Sequence, residues 1–151
     1  MTREELIARL PELSGSITFE EGGEWLNANV DPAEWATISK ALKYTSGFEF
    51  DYLFCLTCVD WKTHLTMVYH LTSTTHRHHL VIKIKLDRTK PDVETVSNIW
   101  RTAEFHEREV FELFGVNFLN HPDLRNLILP DVWDGYPLRK DYEDPINMIK
   151  L

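Results

Sequence analysis

Hydrophobic residues change their spacing several times along the chain, and each spacing predicts a type of element. Thr2 and Glu5 have the spacing of a capping box, which marks the start of a helix. The apolar stripe behind this start consists of Leu6, Ile7 and Leu10. Since proline interrupts helices, the sequence predicts a short first helix that ends at Pro11.

A hairpin and a second helix are predicted next. Around Gly22 and Gly23 the pattern has period two, with Leu26, Ala28 and Val30 on one face, which indicates a hairpin with one buried side. The run Asp31-Pro32 with Glu34 combines an N-cap acceptor, a first-turn proline and an early carboxylate. A helix should therefore begin at Asp31, bury the stripe Trp35, Ile38 and Leu42, and end at Gly47.

Alternation then predicts a sheet. The apolar series are Phe48, Phe50, Tyr52 and Phe54; Leu65, Met67, Tyr69 and Leu71; and Leu80, Ile82, Ile84 and Leu86. Lys83 and Lys85 mark the solvent face of the last series, and the polar run "TSTTHRHH" fits a hairpin loop. We expect Pro91 to close the sheet region and the chain to turn helical after it.

A charged helix is predicted before a C-terminating glycine at Gly115. The segment "AEFHEREVFELF" places Val110 and Phe114 on one face, with one turn around Val96, Ile99 and Trp100 before it. Arg108 has a carboxylate four residues away on each side, at Glu104 and Glu112. Such pairs usually belong to a solvated helix face and contribute little to stability.

The segment from Asn117 to Asp144 is too rich in proline and glycine to form a long helix or a central strand. It nevertheless contains many aromatic and branched apolar residues, whereas disordered tails are poor in both. Trp, Tyr and Arg are also the residues that interface hot spots favour. We therefore expect a tail that lies along a partner's surface or wraps its own domain.

Charge excludes some classes of function. The 151 residues carry a formal net charge of −8 with a pI near 5.3, so a nucleic-acid role is disfavoured. No run of apolar residues approaches the ~18 that a membrane-spanning helix needs. The N-terminal residues are charged where a signal peptide would be apolar. These features predict one soluble, cytosolic domain that can still sit on a membrane assembly.

Residues that could support chemistry are sparse. The pair Cys55 and Cys58 is compatible with a redox pair or half a zinc site, but a strand would place the two on opposite faces as structural residues. His76, His78 and His79 are compatible with a metal cluster or, as we prefer, with a solvated loop. His64 and His70 are expected on the sheet surface.

One long segment carries a resemblance to a known family. Residues 107–128 read E-R-E-x-x-E-L-F-x-x-x-x-x-x-H-x-x-x-R-x-L-I, and "LPDVWDGYPLRKDY" follows. This pattern closely resembles the signature of the C-subunit family of respiratory complex I, as does "LTCVDW" at residues 56–61. The resemblance covers roughly residues 30–142, and Cys58 departs from it because the family often has a small residue there.

The resemblance implies an α+β domain over residues 1–118, with a mostly antiparallel sheet flanked by helices, and an extended partner-binding tail over 119–151. It implies interface or structural roles for eleven residues. Those at the end of the long helix, expected to hold the start of the tail, are Glu107, Arg108, Glu109 and Glu112. Those expected at the tail and its partner contact are His121, Pro122, Arg125, Arg139, Lys140, Asp141 and Tyr142.

The family also implies a function. We expect a non-catalytic peripheral-arm subunit of a proton-translocating NADH:quinone oxidoreductase, bound to the large quinone-site subunit and its neighbours. NADH, flavin, iron-sulfur clusters and quinone would be held by partner subunits, with no catalytic, cofactor or metal site on this chain. It would lie on the cytoplasmic side of the bacterial inner membrane and contact the membrane only through the complex.

Two other hypotheses stay open at this point. The same fold could serve in a membrane-bound energy-converting hydrogenase, where the electron donor differs. A free-standing enzyme could instead use Glu107, Glu109 or His106 as acid and base near His121, although no nucleophile or cofactor motif accompanies these residues.

Overall fold

The computed structural model of the chain describes residues 1–148. The α-helices are α1 (Arg3–Arg9), α2 (Trp35–Tyr44) and α3 (Ala103–Phe114), and a short 3-10 helix (Leu10–Glu12) follows α1. The strands are β1 (Thr18–Glu20), β2 (Leu26–Asn29), β3 (Tyr52–Asp60), β4 (His64–Thr72), β5 (His79–Asp87), β6 (Asp92–Glu94) and β7 (Asn117–Leu119). No helix among these residues is long and apolar enough to cross a membrane.

Five strands form one sheet in the order β1-β2-β5-β4-β3. Its neighbours are antiparallel except β2 and β5, which run parallel with Ala28 opposite Ile82. The short strands β6 and β7 form a separate parallel pair. The α+β class with a mostly antiparallel sheet is thus confirmed, whereas two short strands lie beyond Pro91 where we expected only helix and irregular chain.

The first helix begins as predicted, but only part of its predicted apolar stripe is buried. Both capping-box bonds between Thr2 and Glu5 form, and Leu6 and Leu10 are buried. Ile7 is 38% exposed, so its predicted place in the stripe is wrong. In a helix this short, Leu6 and Leu10 share one face four residues apart, and Ile7 turns away from it.

The second helix begins later than predicted. Asp31 Oδ1 accepts the backbone N–H of Ala33 at 2.8 Å in a preceding turn, and α2 itself starts at Trp35. The predicted stripe of Trp35, Ile38 and Leu42 is fully buried. The helix stops at Tyr44, and the chain then turns through Gly47 at a φ of 90°.

The predicted face of β3 is wrong. Phe48 and Phe50 are buried before the strand begins, but Tyr52 is 46% exposed and Leu53 is fully buried instead. The buried face therefore changes between Phe50 and Leu53. It changes again where the register with β4 shifts between Leu53 and Cys55, so that Leu56 is the next buried residue.

The cysteines lie as predicted. Cys58 is buried among residues of the core, whereas Cys55 is half-buried on the other face, and both are free thiols. Burial raises the pKa of the Cys58 thiol to about 12, which makes it an unreactive packing residue.

The histidine loop is solvated at two of its three histidines. His76 and His79 are exposed, and His76 contacts the Glu49 carboxylate. His78 is instead buried, with its Nε2 2.8 Å from the carbonyl oxygen of Phe48, so the prediction is wrong for this residue. Residues 1–148 contain no group of three or more His, Cys, Asp or Glu side chains arranged to hold a metal ion.

The third helix packs along β3 and positions the site. Ala103, Val110 and Phe114 are buried against the sheet, and Gly115 ends the helix in the left-handed region at a φ of 76°. Its charged residues Glu107, Arg108 and Glu112 are no more than 5% exposed. The solvated-face interpretation of this helix is therefore wrong.

Candidate functional site

The Glu112 carboxylate binds the backbone of the tail. Its oxygens accept the backbone N–H groups of Leu127, Ile128 and Leu129 at 2.9–3.1 Å, and the residue is 3% exposed. Three successive N–H groups that converge on one anion form a concave main-chain anion site. In this chain the anion is supplied by the domain's own helix.

Arg108 lies one helical turn earlier and binds the preceding tail residues. Its Nε and Nη2 donate to the carbonyl oxygens of Arg125 and Asn126 at 3.1 and 2.9 Å. A cation therefore meets two carbonyls, and an anion meets three N–H groups, along consecutive residues 125–129. Hydrogen bonds to charged groups are the strong class, so this pair fixes both position and direction of the tail.

These contacts correct one predicted feature of the helix. In the described part of the chain, Arg108 forms no ion pair with Glu104 or Glu112, although both are four residues away. Its nearest carboxylate is Asp123 of the tail, with Nη1 4.0 Å from Oδ2. The tail backbone replaces the within-helix pairs.

Glu107 faces the other side of α3 and is fully buried. Its carboxylate accepts the Val96 N–H at 2.8 Å and the Thr95 hydroxyl at 2.5 Å. Burial raises the pKa of this carboxyl to about 7, against the lowering effect of these bonds. The carboxyl thus titrates near neutrality.

His121 links the start of the tail to α3. Its side chain is fully buried, with Nε2 3.0 Å from the Glu104 carbonyl oxygen and 3.6 Å from Glu107 Oε2. The backbone N–H of Asp123 donates to Nδ1 at 3.0 Å. Since Nδ1 accepts, the ring carries its hydrogen on Nε2 and donates it to the helix carbonyl.

The tail also covers the C-terminal end of α3. The N–H of Leu138 donates to the Leu113 carbonyl at 3.0 Å, and Arg139 Nε donates to the Phe114 carbonyl at 2.6 Å. The Tyr136 ring lies where a Cβ on Gly115 would stand, within 2.6–2.9 Å. A cation at this end also complements the helix dipole.

The last anchor is Asp60, the final residue of β3. Its carboxylate binds Arg88 through Nε and Nη2 at 3.1 and 2.9 Å and accepts the Lys140 N–H at 2.9 Å. The Arg88 guanidinium holds the pKa of the Asp60 carboxyl well below its usual range. Arg88 also reaches Asp141 of the tail at 2.8 Å.

The remaining predicted residues are more peripheral. Glu109 is half-buried and its side chain forms no hydrogen bond in the described part of the chain, and Pro122 is exposed. Arg125 pairs with Asp123 at 2.9 Å at the surface. Tyr142 is half-buried with its ring near Gly135.

Asp60 and Arg88 were not predicted as anchors of the tail. Asp60 lies in "LTCVDW", and its only sequence signal is that it is a polar residue at the end of an apolar strand. Arg88 follows β5 and carries no motif. Asp60 and Arg88 are 28 residues apart, and the tail residue Lys140 that Asp60 also binds lies 80 residues after it. Local sequence spacing cannot predict contacts over such separations.

The outward side of the tail is apolar. Between residues 127 and 138 its exposed large hydrophobic side chains are Leu127 at 39%, Ile128 at 68%, Val132 at 94%, Trp133 at 41%, Tyr136 at 42% and Leu138 at 52%. The residues that bind the domain are therefore interleaved with residues that face solvent. Exposed apolar side chains at this density are typical of interaction sites.

The family model described as the 30 kDa subunit of the respiratory-chain NADH dehydrogenase matches residues 28–146. The chain belongs to this family. The match includes all the anchors of the tail described above, and it confirms the resemblance drawn from residues 107–128.

Curated relatives agree with this membership. The C subunit of an NADH-quinone oxidoreductase from Moorella thermoacetica is 38% identical over 139 residues, which cover 90% of this chain and 92% of that protein. The C subunit of an F(420)H(2) dehydrogenase from Methanosarcina mazei is 36% identical, over 93% of this chain and 89% of that protein.

Other curated relatives are longer than this chain. An NADH-quinone oxidoreductase C/D subunit from Phocaeicola vulgatus is 45% identical over 112 residues, which cover 73% of this chain but 22% of that protein. The chain likewise spans about half of the corresponding C subunit from Chloroherpeton thalassium, 48% of it at 41% identity over 76% of this chain.

Solved structures share the fold. A membrane-bound sulfane sulfur reductase, described as an archaeal respiratory membrane complex, contains a chain that is 26% identical with a TM-score of 0.75, covering 93% of this chain and 85% of that one. A trypsin-resistant fragment of Nqo5 matches at a TM-score of 0.68 and 24% identity, covering 82% of this chain and all of the fragment.

Proposed function

We propose that the chain is a non-catalytic peripheral-arm subunit of a proton-translocating NADH:quinone oxidoreductase. In this role it scaffolds the large subunit that forms the quinone site, and other peripheral-arm subunits adjoin it. The names of the Moorella and Phocaeicola relatives support the assignment.

One observation carries the proposal. The tail is fixed to its own domain by buried charged groups of α3, yet its outward side exposes apolar residues, Ile128 and Val132 among them. A tail that served only its own domain would turn such residues inward. A tail fixed on one side and apolar on the other is suited to join two subunits.

The chemistry would then belong to the partners. We propose that flavin, iron-sulfur clusters, NADH and quinone are bound by other subunits, and that the chain contacts the membrane through the complex on the cytoplasmic side. His121 joins the tail to the Glu104 carbonyl, and Glu107 hydrogen-bonds to Thr95 and Val96. Both side chains are fully buried, which supports a structural role rather than acid–base catalysis.

An alternative role rests on two relatives with other names. The Methanosarcina protein is named for F(420)H(2), and the archaeal complex is named a sulfane sulfur reductase. The same scaffold would then serve a complex with a different electron donor, such as a membrane-bound energy-converting hydrogenase.

Purification through a tag on this chain tests both roles. Membranes are solubilised in mild detergent, and the co-purifying subunits are identified and assayed for NADH-driven quinone reduction. We expect the NADH-oxidising flavoprotein and the large quinone-site subunit, and no NADH oxidation by the isolated chain. A nickel-ligating large subunit without a flavoprotein would favour the alternative, and NADH oxidation by the isolated chain would contradict both roles.

A further inference from the structure

Residues 131–135 form a projecting tip of the tail. Asp131, Val132, Trp133, Asp134 and Gly135 are all exposed. Neither aspartate forms a hydrogen bond or an ion pair with any residue that the structure describes, and the Trp133 indole N–H has no partner there either. The tip therefore differs from the neighbouring parts of the tail, where polar groups bind the domain or one another.

Both ends of the tip are anchored. On one side Glu112 holds the N–H groups of residues 127–129, and the Asn126 side-chain amide donates to the Pro130 carbonyl at 2.8 Å. On the other side the Leu138 N–H binds the end of α3 at 3.0 Å. A loop held at both ends loses little conformational entropy when its tip becomes buried, which favours binding.

The side chains of the tip define the surface that would receive them. Val132 at 94% exposure and Trp133 at 41% need an apolar pocket, and tryptophan is enriched in interface hot spots. Asp131 and Asp134 flank them and would lose water on contact. Unpaired carboxylates in a contact are unfavourable, so the receiving surface must supply cations.

We propose that the tip inserts into an apolar pocket of a partner protein, and that arginine or lysine side chains on the rim of this pocket pair with Asp131 and Asp134. This inference rests on the proposed function and specifies its partner surface. A second copy of this chain fits poorly because the net charge is −8, and an anionic membrane would repel both aspartates.

The test measures binding of the purified, labelled full chain to membranes from cells that lack its gene. Asp131→Asn with Asp134→Asn removes two charges and keeps side-chain size. The matched control is Glu21→Gln with Glu24→Gln, since these exposed carboxylates of the β1–β2 turn are also three residues apart and unpaired among the described residues.

We expect the asparagine pair to weaken binding about tenfold at about 50 mM salt and little at about 500 mM, where screening removes the advantage of wild type. The glutamine pair should bind like wild type at both. Trp133→Ala should weaken binding about tenfold or more at either salt concentration, whereas Tyr44→Ala, at an exposed site on α2, should not.

Failure of the inference is distinguishable from failure of the proposed function. Wild type that does not bind these membranes contradicts the proposed function, and the inference with it. If wild type binds but the asparagine and glutamine pairs bind equally, the basic rim is wrong while the function stands. Unchanged binding of Trp133→Ala, equal binding to protein-free anionic vesicles, or a dimer of the chain that Trp133→Ala dissolves would each overturn the inference.

Discussion

Replacing Glu112 by glutamine should release the middle of the tail without unfolding the domain. Oε2 accepts from Leu127, Ile128 and Leu129, and Oε1 also accepts from Ile128 at 2.9 Å. Glutamine keeps the shape but loses the charge, and its NH₂ group must face an N–H in either orientation. One lost bond to a charged group and the weakening of the others amount to about 2–4 kcal/mol.

That energy should appear in the local opening of residues 127–129, because these residues lie outside the hydrophobic core. Amide exchange of the three N–H groups, followed by NMR on the full chain, should accelerate by about 30-fold to 1000-fold. Amides of β4 and β5 should keep their protection. The melting temperature should change little.

Glu109→Gln provides the matched control on the same helix. Glu109 is half-buried and its side chain forms no hydrogen bond with the described residues, so its substitution should leave exchange at 127–129 unchanged. Equal protection of these amides in wild type and Glu112→Gln would refute the reasoning. Equal acceleration by both substitutions would refute it as well, because a general loss of helix charge would then be the cause.

Three further predictions concern the other anchors. Arg108→Met keeps an apolar stem but loses both bonds to the tail carbonyls, a loss of about 2–3 kcal/mol. Limited proteolysis should therefore cut the tail of this variant sooner than that of wild type. The control variant Lys85→Met, on the solvent face of β5, should be cut at the wild-type rate. Because the pKa of Glu107 is raised from 4.5 to about 7, the folded chain binds this proton more tightly than the unfolded chain, and stability falls by about 3 kcal/mol as pH rises between these values. Urea melts of Glu107→Gln should lack this decline, and profiles parallel to wild type would contradict the assignment. Asp60→Asn should lower the free energy of unfolding by about 2–3 kcal/mol in the same melts, because Asp60 is only 3% exposed. Asp141→Asn should have a much smaller effect, because the Asp141 side chain is 67% exposed.

Local patterns predicted those elements in which one physical rule dominates. The capping box at Thr2 and the stripe of Trp35, Ile38 and Leu42 depend on residues within two or three turns, and both form as expected. The face of β3 was not predictable in this way. The buried face changes between Phe50 and Leu53 and again at the register shift between Leu53 and Cys55, and a single apolar series contains no sign of either change.

The site could be predicted in its residues more than in its contacts. Family resemblance singled out Glu112 and Arg108, but helix spacing suggested that they pair with each other or with solvent. Their partners are backbone groups of a segment 15–18 residues away, and backbone groups have no sequence signature. Arg88 was not predicted for a related reason, because it comes close to Asp60 and the tail only in the folded sheet.

The way α3 holds the tail has a consequence for how the sequence can drift. Every bond from Arg108 and Glu112 to residues 125–129 ends on a main-chain atom, so the anchors are indifferent to which side chains those residues carry. Leu127 and Ile128 can be exchanged to suit a changing neighbour while the segment stays seated. Proline is the exception, since it would remove an N–H that the carboxylate requires. The attachment of the tail to α3 and the side chains that contact a neighbour can thus evolve independently. A new contact surface can arise here by side-chain substitution alone.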